Sequence, residues 1–290
     1  MTPLADKLAK GLDTGIQTLL SLVKIALFSK RFAKCDFSFK NNDDVLILAN
    51  GPSLASTVEN VKQFVSEKTL LAVNFNVSSP LYEELKPELY VIADPFLWTD
   101  PIQMNRLFGE LVKKTTWQVN LFIPAQAFKV SEWQTLLKEN ALVKPIRYNA
   151  TPIEGGQKFC NFIFRHGLGV PRPHNVLIPS LIVALNLSFK TIYVAGADHS
   201  WIKEISVDDD NQLLMNQKHF YDKDQSKAAT VKRRDFTTAH LHDTLYHMYV
   251  AFKSYFVIRR YAESLNKQIY NITPHSFIDA FDRLKVSPNQ

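Results

Sequence analysis

Short apolar runs and helical stretches alternate along most of the chain, from residue 44 to residue 272. Most of these runs are continuously apolar, which is typical of strands that are buried on both faces of a parallel sheet. The predicted strands are Val45–Ala49, Leu70–Val73, Leu89–Ala93, Val119–Ile123, Val143–Tyr148, Thr191–Ala195 and Gln268–Ile272.

Helices are predicted between these strands, near residues 54–66, 101–113, 131–139, 175–187 and 236–266. Such alternation predicts an α/β fold with a mostly parallel sheet and helices on both faces. The stretch 200–235 is polar and lacks apolar periodicity, so we expect a long surface loop or lid there. No repeat or Pro/Gly-rich linker interrupts residues 41–290, which predicts a single domain.

The first 40 residues form a separate, amphipathic segment. Their apolar positions are spaced by three and four, which predicts one stripe of a helix over residues 4–32: Leu4, Leu8, Leu12, Ile16, Leu19, Leu20, Val23, Leu27 and Phe28. Four lysines interrupt this stripe, so we expect no run of the roughly 20 apolar residues that a membrane span needs. No cleavage site of a signal peptide follows. The helix either lies on a membrane surface or packs on the domain or on another subunit.

Charge is unevenly distributed over the chain. The net charge is +6, and residues 1–40 hold seven basic against three acidic residues. A basic excess at one end favours contact of that end with an anionic surface, and it argues against a nucleic-acid groove through the whole fold. Cys35 and Cys160 have no partner spacing and are expected to be reduced thiols in the cytoplasm. No Cys/His cluster has the spacing of a zinc site.

Polar residues follow five of the predicted strands. One polar strand end is explained by a turn or a helix cap. Five in one sheet predict a ligand site, because open α/β sheets bind ligands beyond the carboxyl ends of their strands. These strand ends are Asn50–Leu54, Asn74–Asn76, Asp94-Pro95, Gly196–Ser200 and the segment from Asn271 to Ser276.

The turn Asn50–Leu54 has the residues of a tight bend. Gly51 permits a sharp turn and close approach of a ligand, and Pro52 fixes φ. Ser53 is placed to cap the following helix, whose N–H groups favour an anion. Neither a Walker loop nor the dinucleotide-binding Gly-x-Gly-x-x-Gly pattern is present. The turn is therefore either a phosphate-binding bend or a structural cap.

The sequence VLILANGPSL at residues 45–54 resembles the first strand and turn of the family-42 bacterial sialyltransferases. The resemblance continues at LLAVN, which ends in Asn74, at Asp94-Pro95, at LSFKTIYVAGADHSW and at QIYNITPHS. The chain is also similar to the glycosyltransferase-like domain of motility-associated flagellin-modifying proteins, which an archaeal pterin pyrophosphokinase shares. These patches touch roughly residues 45–100, 175–225 and 240–276, and only the first motif is specific.

This resemblance implies a GT-A-like Rossmann variant that binds a CMP-sugar without a metal or another cofactor. The donor-binding residues that it implies are Asn50, Gly51, Ser53, Asn74 and Asp94. The polar strand ends add Pro52, Gly196, Asp198 and Thr273 as further candidates. Asp198 and His199 follow a strand directly and could bind the sugar, or Asp198 caps its turn. The family has Asn at the position of Asp94, and its Thr-Ser-Gly is replaced here by Asn175-Val176-Leu177. An acid is unfavourable beside a phosphate, so the donor is open between a CMP-sugar and another nucleotide sugar.

An inverting transfer needs a base for the acceptor hydroxyl and groups that stabilise the leaving phosphate. The resemblance places the catalytic histidine near the start of the helix before the last strand, where both His240 and His242 are candidates. Helical spacing allows Asp243 to orient His240 or His247. Tyr221 in the expected lid is the candidate for contact with the phosphate. A run of three aspartates in the lid does not follow a strand directly, which argues against a metal site there.

The predicted function is that of an inverting, metal-independent, sialyltransferase-like glycosyltransferase of lipopolysaccharide or capsule biosynthesis. It would use a nucleotide sugar and a glycan or lipid-linked acceptor at the inner face of the cytoplasmic membrane, with residues 4–34 on the anionic surface, and a homo-oligomer is possible. Three alternatives stay open: another nucleotide sugar, an ATP-dependent pyrophosphokinase-like activity, or a non-enzymatic scaffold of a glycan assembly complex.

Overall fold

The computed structural model describes residues 3–32, 37, 39, 41, 43–216, 228–231 and 237–287. Thirteen strands are present in this part of the chain. They are β1 Asp44–Leu48, β2 Thr69–Val73, β3 Leu89–Val91, β4 Val119–Pro124, β5 Val143–Tyr148, β6 Pro152–Ile153, β7 Val170–Pro171, β8 Thr191–Ala195, β9 Ile205–Val207, β10 Leu213–Met215, β11 Ala229–Thr230, β12 Gln268–Asn271 and β13 Asp282–Arg283.

Eight strands form one sheet in the order β13-β12-β8-β1-β2-β3-β4-β5, and all neighbouring pairs are parallel. From β1 the chain proceeds outward to β5 and then returns to the other side of β1 at β8. In register, Leu48 lies between Ala72 of β2 and Ala195 of β8. The strand order therefore reverses between β1 and β8, which is the switch point of an open α/β sheet.

Nine α-helices connect these strands within the described residues. They are α1 Pro3–Phe28, α2 Leu54–Asn60, α3 Lys62–Ser66, α4 Pro80–Leu85, α5 Pro101–Lys114, α6 Glu132–Leu137, α7 Gln157–Arg165, α8 Leu177–Asn186 and α9 Leu241–Ser264. Shorter 3-10 helices span Asn74–Ser78, Pro95–Trp98, Ala125–Lys129 and Trp201–Glu204.

The two faces of the sheet are covered by different helices. Val45 and Ile47 of β1 belong to the core cluster that contains α7, α8 and α9. Leu46 and Leu48 point the other way, into a cluster with Leu54 of α2. The outer strands β3 and β4 pack on α5 and α6 on this second face. Because successive side chains of a strand alternate between faces, a strand covered on both sides must be apolar throughout. The predicted α/β fold with helices on both faces is confirmed.

All seven predicted strands are present, with ends that differ by no more than two residues. The helices α4 and α7 were not predicted, because six and nine residues are too short for a clear periodicity. The helix expected from residue 236 begins at Leu241.

The region 200–235 differs from the expected loop. Its described part forms an antiparallel sheet of β9, β10 and β11, next to the 3-10 helix Trp201–Glu204. These strands have two or three residues each, and of their side chains only that of Leu213 is buried. The sequence therefore shows no alternation of apolar and polar residues here, and these strands were not predicted. Whether the region acts as a lid stays a prediction.

Helix α1 lies on the domain through hydroxyl side chains. The buried Ser21 Oγ donates to the Glu154 carbonyl at 2.7 Å and accepts from the Glu154 N–H at 2.9 Å. Thr18 Oγ1 accepts from the Gly156 N–H at 3.1 Å. Further along, Ser29 Oγ donates to the Leu168 carbonyl at 2.5 Å. These contacts run from Thr18 to Ser29, and they hold the second half of α1 against the segments before and after α7.

Residues Lys7–Phe28 of α1 are long and apolar enough to cross a membrane, by length and composition alone. The lysines do interrupt every apolar run of that length, as expected, but they do not exclude a span by mean composition. The lysines lie towards the ends of the helix, and the residues between them are apolar enough to keep the average hydropathy of the segment high.

We expect Gly155→Ala to destabilise the fold by about 1–3 kcal/mol. Gly155 has φ +137°, and an added Cβ would lie 2.3 Å from Thr18 Oγ1 and 2.9 Å from Thr18 Cα. Gly109→Ala in α5 is the matched control, since a Cβ there has no neighbour within 4 Å, and Ala favours a helix by up to about 1 kcal/mol over Gly. The free energy of unfolding in urea measures both changes. Equal effects of the two substitutions would contradict the close docking of α1.

Candidate functional site

The candidate site begins where β1 and β8 end, at the switch point. Pairing continues past both strands: the Ala49 N–H donates to the Ala195 carbonyl at 2.9 Å, and the Gly51 N–H donates to the Gly196 carbonyl at 2.8 Å. The turn after β1 is thus held directly against the turn after β8. Two of the five predicted strand ends are in contact.

Both glycines at this contact are required by space. A Cβ on Gly51 would lie 2.1 Å from Asp198 Oδ2 and 2.4 Å from the Gly196 carbonyl oxygen. Gly196 has φ +67°, and its Cβ would lie 2.6 Å from the Ala49 carbonyl oxygen. Glycine adopts the left-handed backbone that Gly196 requires, and its lack of a side chain permits the close contacts at both positions. The group that closely approaches Gly51 in the structure is the side chain of Asp198, and approach of a ligand stays a prediction.

The Asp198 carboxylate lies at the N-terminal end of α2. Its Oδ2 accepts from Ser53 Oγ at 2.9 Å and from the Ser53 N–H at 3.4 Å. Ser53 makes no cap with its own hydroxyl, so the prediction that it caps α2 was wrong. The sequence did not predict this contact of Asp198 with the start of α2, and its role in sugar binding stays a prediction. The carboxylate occupies the position that an anion at this turn would take.

Amide side chains connect the ends of β1, β2 and β3. Asn50 Nδ2 donates to the Val73 carbonyl at 3.1 Å, and Asn76 Nδ2 donates to Asn50 Oδ1 at 3.3 Å. Asn74, in the left-handed region with φ +42°, accepts from the Ala93 N–H through Oδ1 at 3.1 Å. Asn76 is fully buried, and its Oδ1 has no hydrogen-bond partner among the described residues. The predicted residues Asn50 and Asn74 belong to this cluster.

Asp94 follows β3 and begins the 3-10 helix Pro95–Trp98. Its Oδ1 accepts from the Phe96 N–H at 3.0 Å. Burial raises the pKa of the Asp94 carboxyl above its usual range, and the Phe96 hydrogen bond opposes that shift. No cation within the described residues forms an ion pair with it. A partly desolvated carboxylate at a strand end is costly, which makes Asp94 a candidate for ligand contact.

The segment after β12 braces the Gly196–Asp198 turn from the other side. Thr273 Oγ1 accepts from the Ala197 N–H at 3.0 Å, and Ser276 Oγ donates to the Ala197 carbonyl at 2.6 Å. The Phe277 N–H donates to the Asp198 carbonyl at 2.8 Å. Five neighbouring strands, β12, β8, β1, β2 and β3, thus contribute to one network. We call it the strand-end network.

His199, which the sequence analysis placed in the strand end after β8, lies next to this network. It is buried, has φ +50°, and its Nε2 lies 2.6 Å from the Tyr255 hydroxyl. Burial lowers the pKa of His199 to about 3, so its ring is neutral at pH 7. Tyr255 of α9 also donates to Asn175 Oδ1 at 3.1 Å. The partner lies 56 positions away in the chain, so no local signal reveals the pair.

The two candidate bases lie at the start of α9. His240 precedes the helix, and its backbone N–H donates to Asp243 Oδ2 at 3.0 Å. His242 is exposed, and its Nε2 lies 3.5 Å from Asp243 Oδ1. The ring of His247 stacks on that of His174, with centroids 4.9 Å apart. Asp243 therefore contacts His242 and is also joined to His240 in a reciprocal capping box, in which the His240 side chain accepts from the Asp243 N–H.

The start of α9 lies far from the strand-end network. At 1.5 Å per residue, His240 lies about 22 Å along the helix from Tyr255, which contacts His199. The structure therefore does not bring His240 or His242 into contact with the predicted donor-binding residues. Tyr221, the predicted phosphate contact, lies outside the described residues.

Two cavities are formed elsewhere in the described structure. One of about 190 Å³ lies between α9, β12 and β13 and includes Arg259, Lys267 and Asp282. The other, of about 130 Å³, lies between β4, β5 and α8 and includes Arg147 and Asn149. Neither is lined by the predicted donor-binding residues. Among the residues that the structure describes, no group of three or more His, Cys, Asp or Glu side chains could hold a metal ion.

Comparison with known proteins gives little further information. No protein-family model and no curated protein matches the chain. The structure of the MAf glycosyltransferase from Magnetospirillum magneticum AMB-1 is similar to 95% of this chain, with a TM-score of 0.49 and 10% sequence identity. This chain covers 40% of that protein. A likeness this distant supports no statement about function, and the family-42 resemblance stays a prediction.

We expect Asp94→Asn to raise the melting temperature at pH 7. A buried carboxyl with a raised pKa is harder to ionise in the folded than in the unfolded state, so stability falls as pH rises through that pKa. Asn removes the charge and keeps an acceptor for the Phe96 N–H. The gain in melting temperature should therefore shrink as the pH is lowered and the native carboxyl takes up its proton.

Thermal unfolding followed by circular dichroism at several pH values between 4 and 7 measures this. Asp209→Asn, at an exposed turn between β9 and β10, is the control that removes an equal charge. A gain that is the same at every pH, or a loss at pH 7, would contradict desolvation of Asp94.

Proposed function

We propose that this protein is a glycosyltransferase that binds a nucleotide-activated sugar at the strand-end network. The observation that carries the proposal is that polar groups from five neighbouring strands meet where the strand order reverses. Open α/β sheets bind ligands in this position. The resemblance of the Asn50–Leu54 region to the family-42 turn adds the class of ligand, a sugar linked to a nucleotide.

The nucleotide phosphate would meet the turn after β1 only when the Asp198 carboxylate moves. In the structure Asp198 holds both donors of Ser53, its N–H and its hydroxyl. Two anions cannot share these donors without strong repulsion at short range. A phosphate that displaces Asp198 would accept the hydrogen bonds from the Ser53 N–H and hydroxyl in its place. The displaced carboxylate would then be free to accept hydrogen bonds from hydroxyls of the sugar, which is the sugar-binding role considered for it.

The amides of Asn50, Asn74 and Asn76 would contact the base and ribose of the donor. Asn76 Oδ1 is buried and without a described partner, so a ligand donor would satisfy it. Asp94 is better suited to ribose hydroxyls than to a phosphate, because its pKa is already raised by burial. Within this proposal the donor is a CMP-sugar, with sialic acid or a related sugar, and the acceptor is a bacterial surface glycan or its lipid-linked precursor.

The proposed reaction inverts the anomeric carbon and needs no metal ion. A base removes the proton from the acceptor hydroxyl, the acceptor oxygen bonds to the anomeric carbon, and the bond to the phosphate oxygen breaks. The nucleotide leaves with the bonding electrons. His240 or His242 would serve as the base, which requires that the sugar extend from the strand-end network towards the start of α9 or that this end of the helix approach it.

We expect a cytidine nucleotide to raise the melting temperature by several degrees when present at about 100 times its Kd, which corresponds to roughly 2.7 kcal/mol. Ser53→Trp should abolish the shift, because its ring would fill the space beside Gly51 and Asp198. Thermal shift assays with CMP, UDP, GDP and ATP, each with and without EDTA, measure this. Ser56→Trp, at an exposed position of the same helix, is the matched control and should keep the shift.

Absence of a shift with every nucleotide would contradict the proposal. A shift with ATP alone that EDTA abolishes would replace it with pyrophosphoryl transfer.

We expect substitution of the true base to lower kcat by about 10²–10⁴-fold, with little change in nucleotide affinity. His240→Gln and His242→Gln are compared in a hydrolysis assay with the nucleotide sugar that binds. His247→Gln, one to two turns further along α9, is the control. If all three variants keep full turnover while the nucleotide still binds, neither His240 nor His242 is the base.

A further inference from the structure

Helix α1 faces the domain with polar side chains and faces outward with apolar ones, the reverse of an ordinary surface helix. Ser21 and Thr18 make its hydrogen bonds to the domain, and Ile25 packs on the core beside them. On the opposite side, five apolar residues are exposed to 52–69% of their surface. This outer stripe consists of Leu12, Ile16, Leu19, Val23 and Leu27.

The position of the outer stripe follows from helical geometry. Its members are spaced by three and four residues, so they share one face. Thr18, Ser21 and Ile25 share another face with the same spacing, about half a turn away. Burial of apolar surface normally drives a helix onto its domain. Here hydroxyl groups hold the helix in place and leave its apolar face for another partner.

The basic charge of α1 and of the residues directly after it favours an anionic partner. Between residues 7 and 31 there are five basic side chains and one acidic one: Lys7, Lys10, Lys24, Lys30, Arg31 and Asp13. The loop that docks α1 leads directly into α7, which exposes Phe162 between Lys158 and Arg165 and contains no acidic residue. A second copy of this surface would bring basic groups together, whereas anionic lipid headgroups would neutralise them.

The docking contacts also decide how the helix meets the lipid. α1 has 26 residues and is about 39 Å long, more than the roughly 30 Å of a hydrocarbon core. If α1 crossed the bilayer, its contacts with Glu154, Gly156 and Leu168 would carry loops of the domain into hydrocarbon. Loops do not occur in contact with lipid tails, since their polar backbone groups would be unsatisfied.

We propose that α1 lies in the plane of an anionic lipid bilayer, with the outer stripe in the acyl boundary and the domain on the opposite side of the helix. The helix binds the membrane as it stands in the structure, without leaving the domain. This surface is independent of the donor site, and it holds whether or not the strand-end network binds a nucleotide sugar.

We expect the full chain to bind vesicles of phosphatidylcholine with phosphatidylglycerol, and to bind phosphatidylcholine alone more weakly. Ile16→Gln, Leu19→Gln and Val23→Gln together should lower the partition coefficient by roughly 100-fold or more, because they remove apolar area from the bilayer. Lys7→Gln with Lys10→Gln should lower binding to the anionic vesicles by about fivefold per lysine. Vesicle flotation of the purified native chain, the triple variant and the double lysine variant measures these differences in binding.

Leu19→Gln and Ile102→Gln form a matched pair, since both replace an exposed apolar residue of a helix, with 64% and 78% exposure. The first should weaken vesicle binding and the second should not. All variants should keep their melting temperature, because none of the substituted side chains is buried.

Three results would overturn the proposal. The first is equal vesicle binding by the native chain and the triple variant, or no binding by either. The second is a lipid-free dimer, seen by light scattering, that the triple variant dissociates while vesicles remain unbound; a second copy then covers the stripe. The third is retention of the native chain on vesicles after extraction with carbonate at pH 11, which would indicate a spanning helix.

Discussion

The hydrogen bond from the Gly51 N–H to the Gly196 carbonyl is the contact on which the candidate site depends. It joins the turns that follow β1 and β8, and these strands are neighbours in space although Leu48 and Ala195 are 147 positions apart. The bond forms because neither residue carries a Cβ. With the two turns in contact, Asp198 reaches Ser53, and Thr273 and Ser276 reach Ala197.

In the structure most polar groups of the site are paired with one another, with Asn76 Oδ1 as an exception. The donors of Ser53 pair with Asp198, and the amides of Asn50 and Asn74 pair with backbone groups of adjacent strands. A buried polar group without a partner destabilises a fold by about 1–3 kcal/mol, so an unliganded site gains from internal pairs of this kind. A ligand must then exchange these pairs for its own. The affinity of such a site for a ligand therefore depends on how much more stable the hydrogen bonds to the ligand are than the internal ones they replace.

The sheet was predictable from the sequence, and much of the site was not. Runs such as VLIL and LLAV are apolar at every position because their strands are covered on both faces, and this local pattern identifies them. Gly51, Asn74 and Thr273 were found because each directly follows such a strand. The partners of Asp198 and His199 were missed, since Ser53 and Tyr255 are distant in the chain and nothing local links them. The strands β9–β11 were missed because each has no more than three residues.

The order of the strands also has a consequence for synthesis of the chain on the ribosome. Strands β1 to β5 emerge in the order in which they pair, together with α2 to α6, which cover one face. The helices that cover the other face, α7 to α9, follow residue 156, and so does β8. Until then, Val45 and Ile47 lack their cover, and one edge of β1 lacks its partner. A half-complete sheet with an open edge is prone to aggregate, so this chain needs its second half quickly, or a chaperone that shields the first.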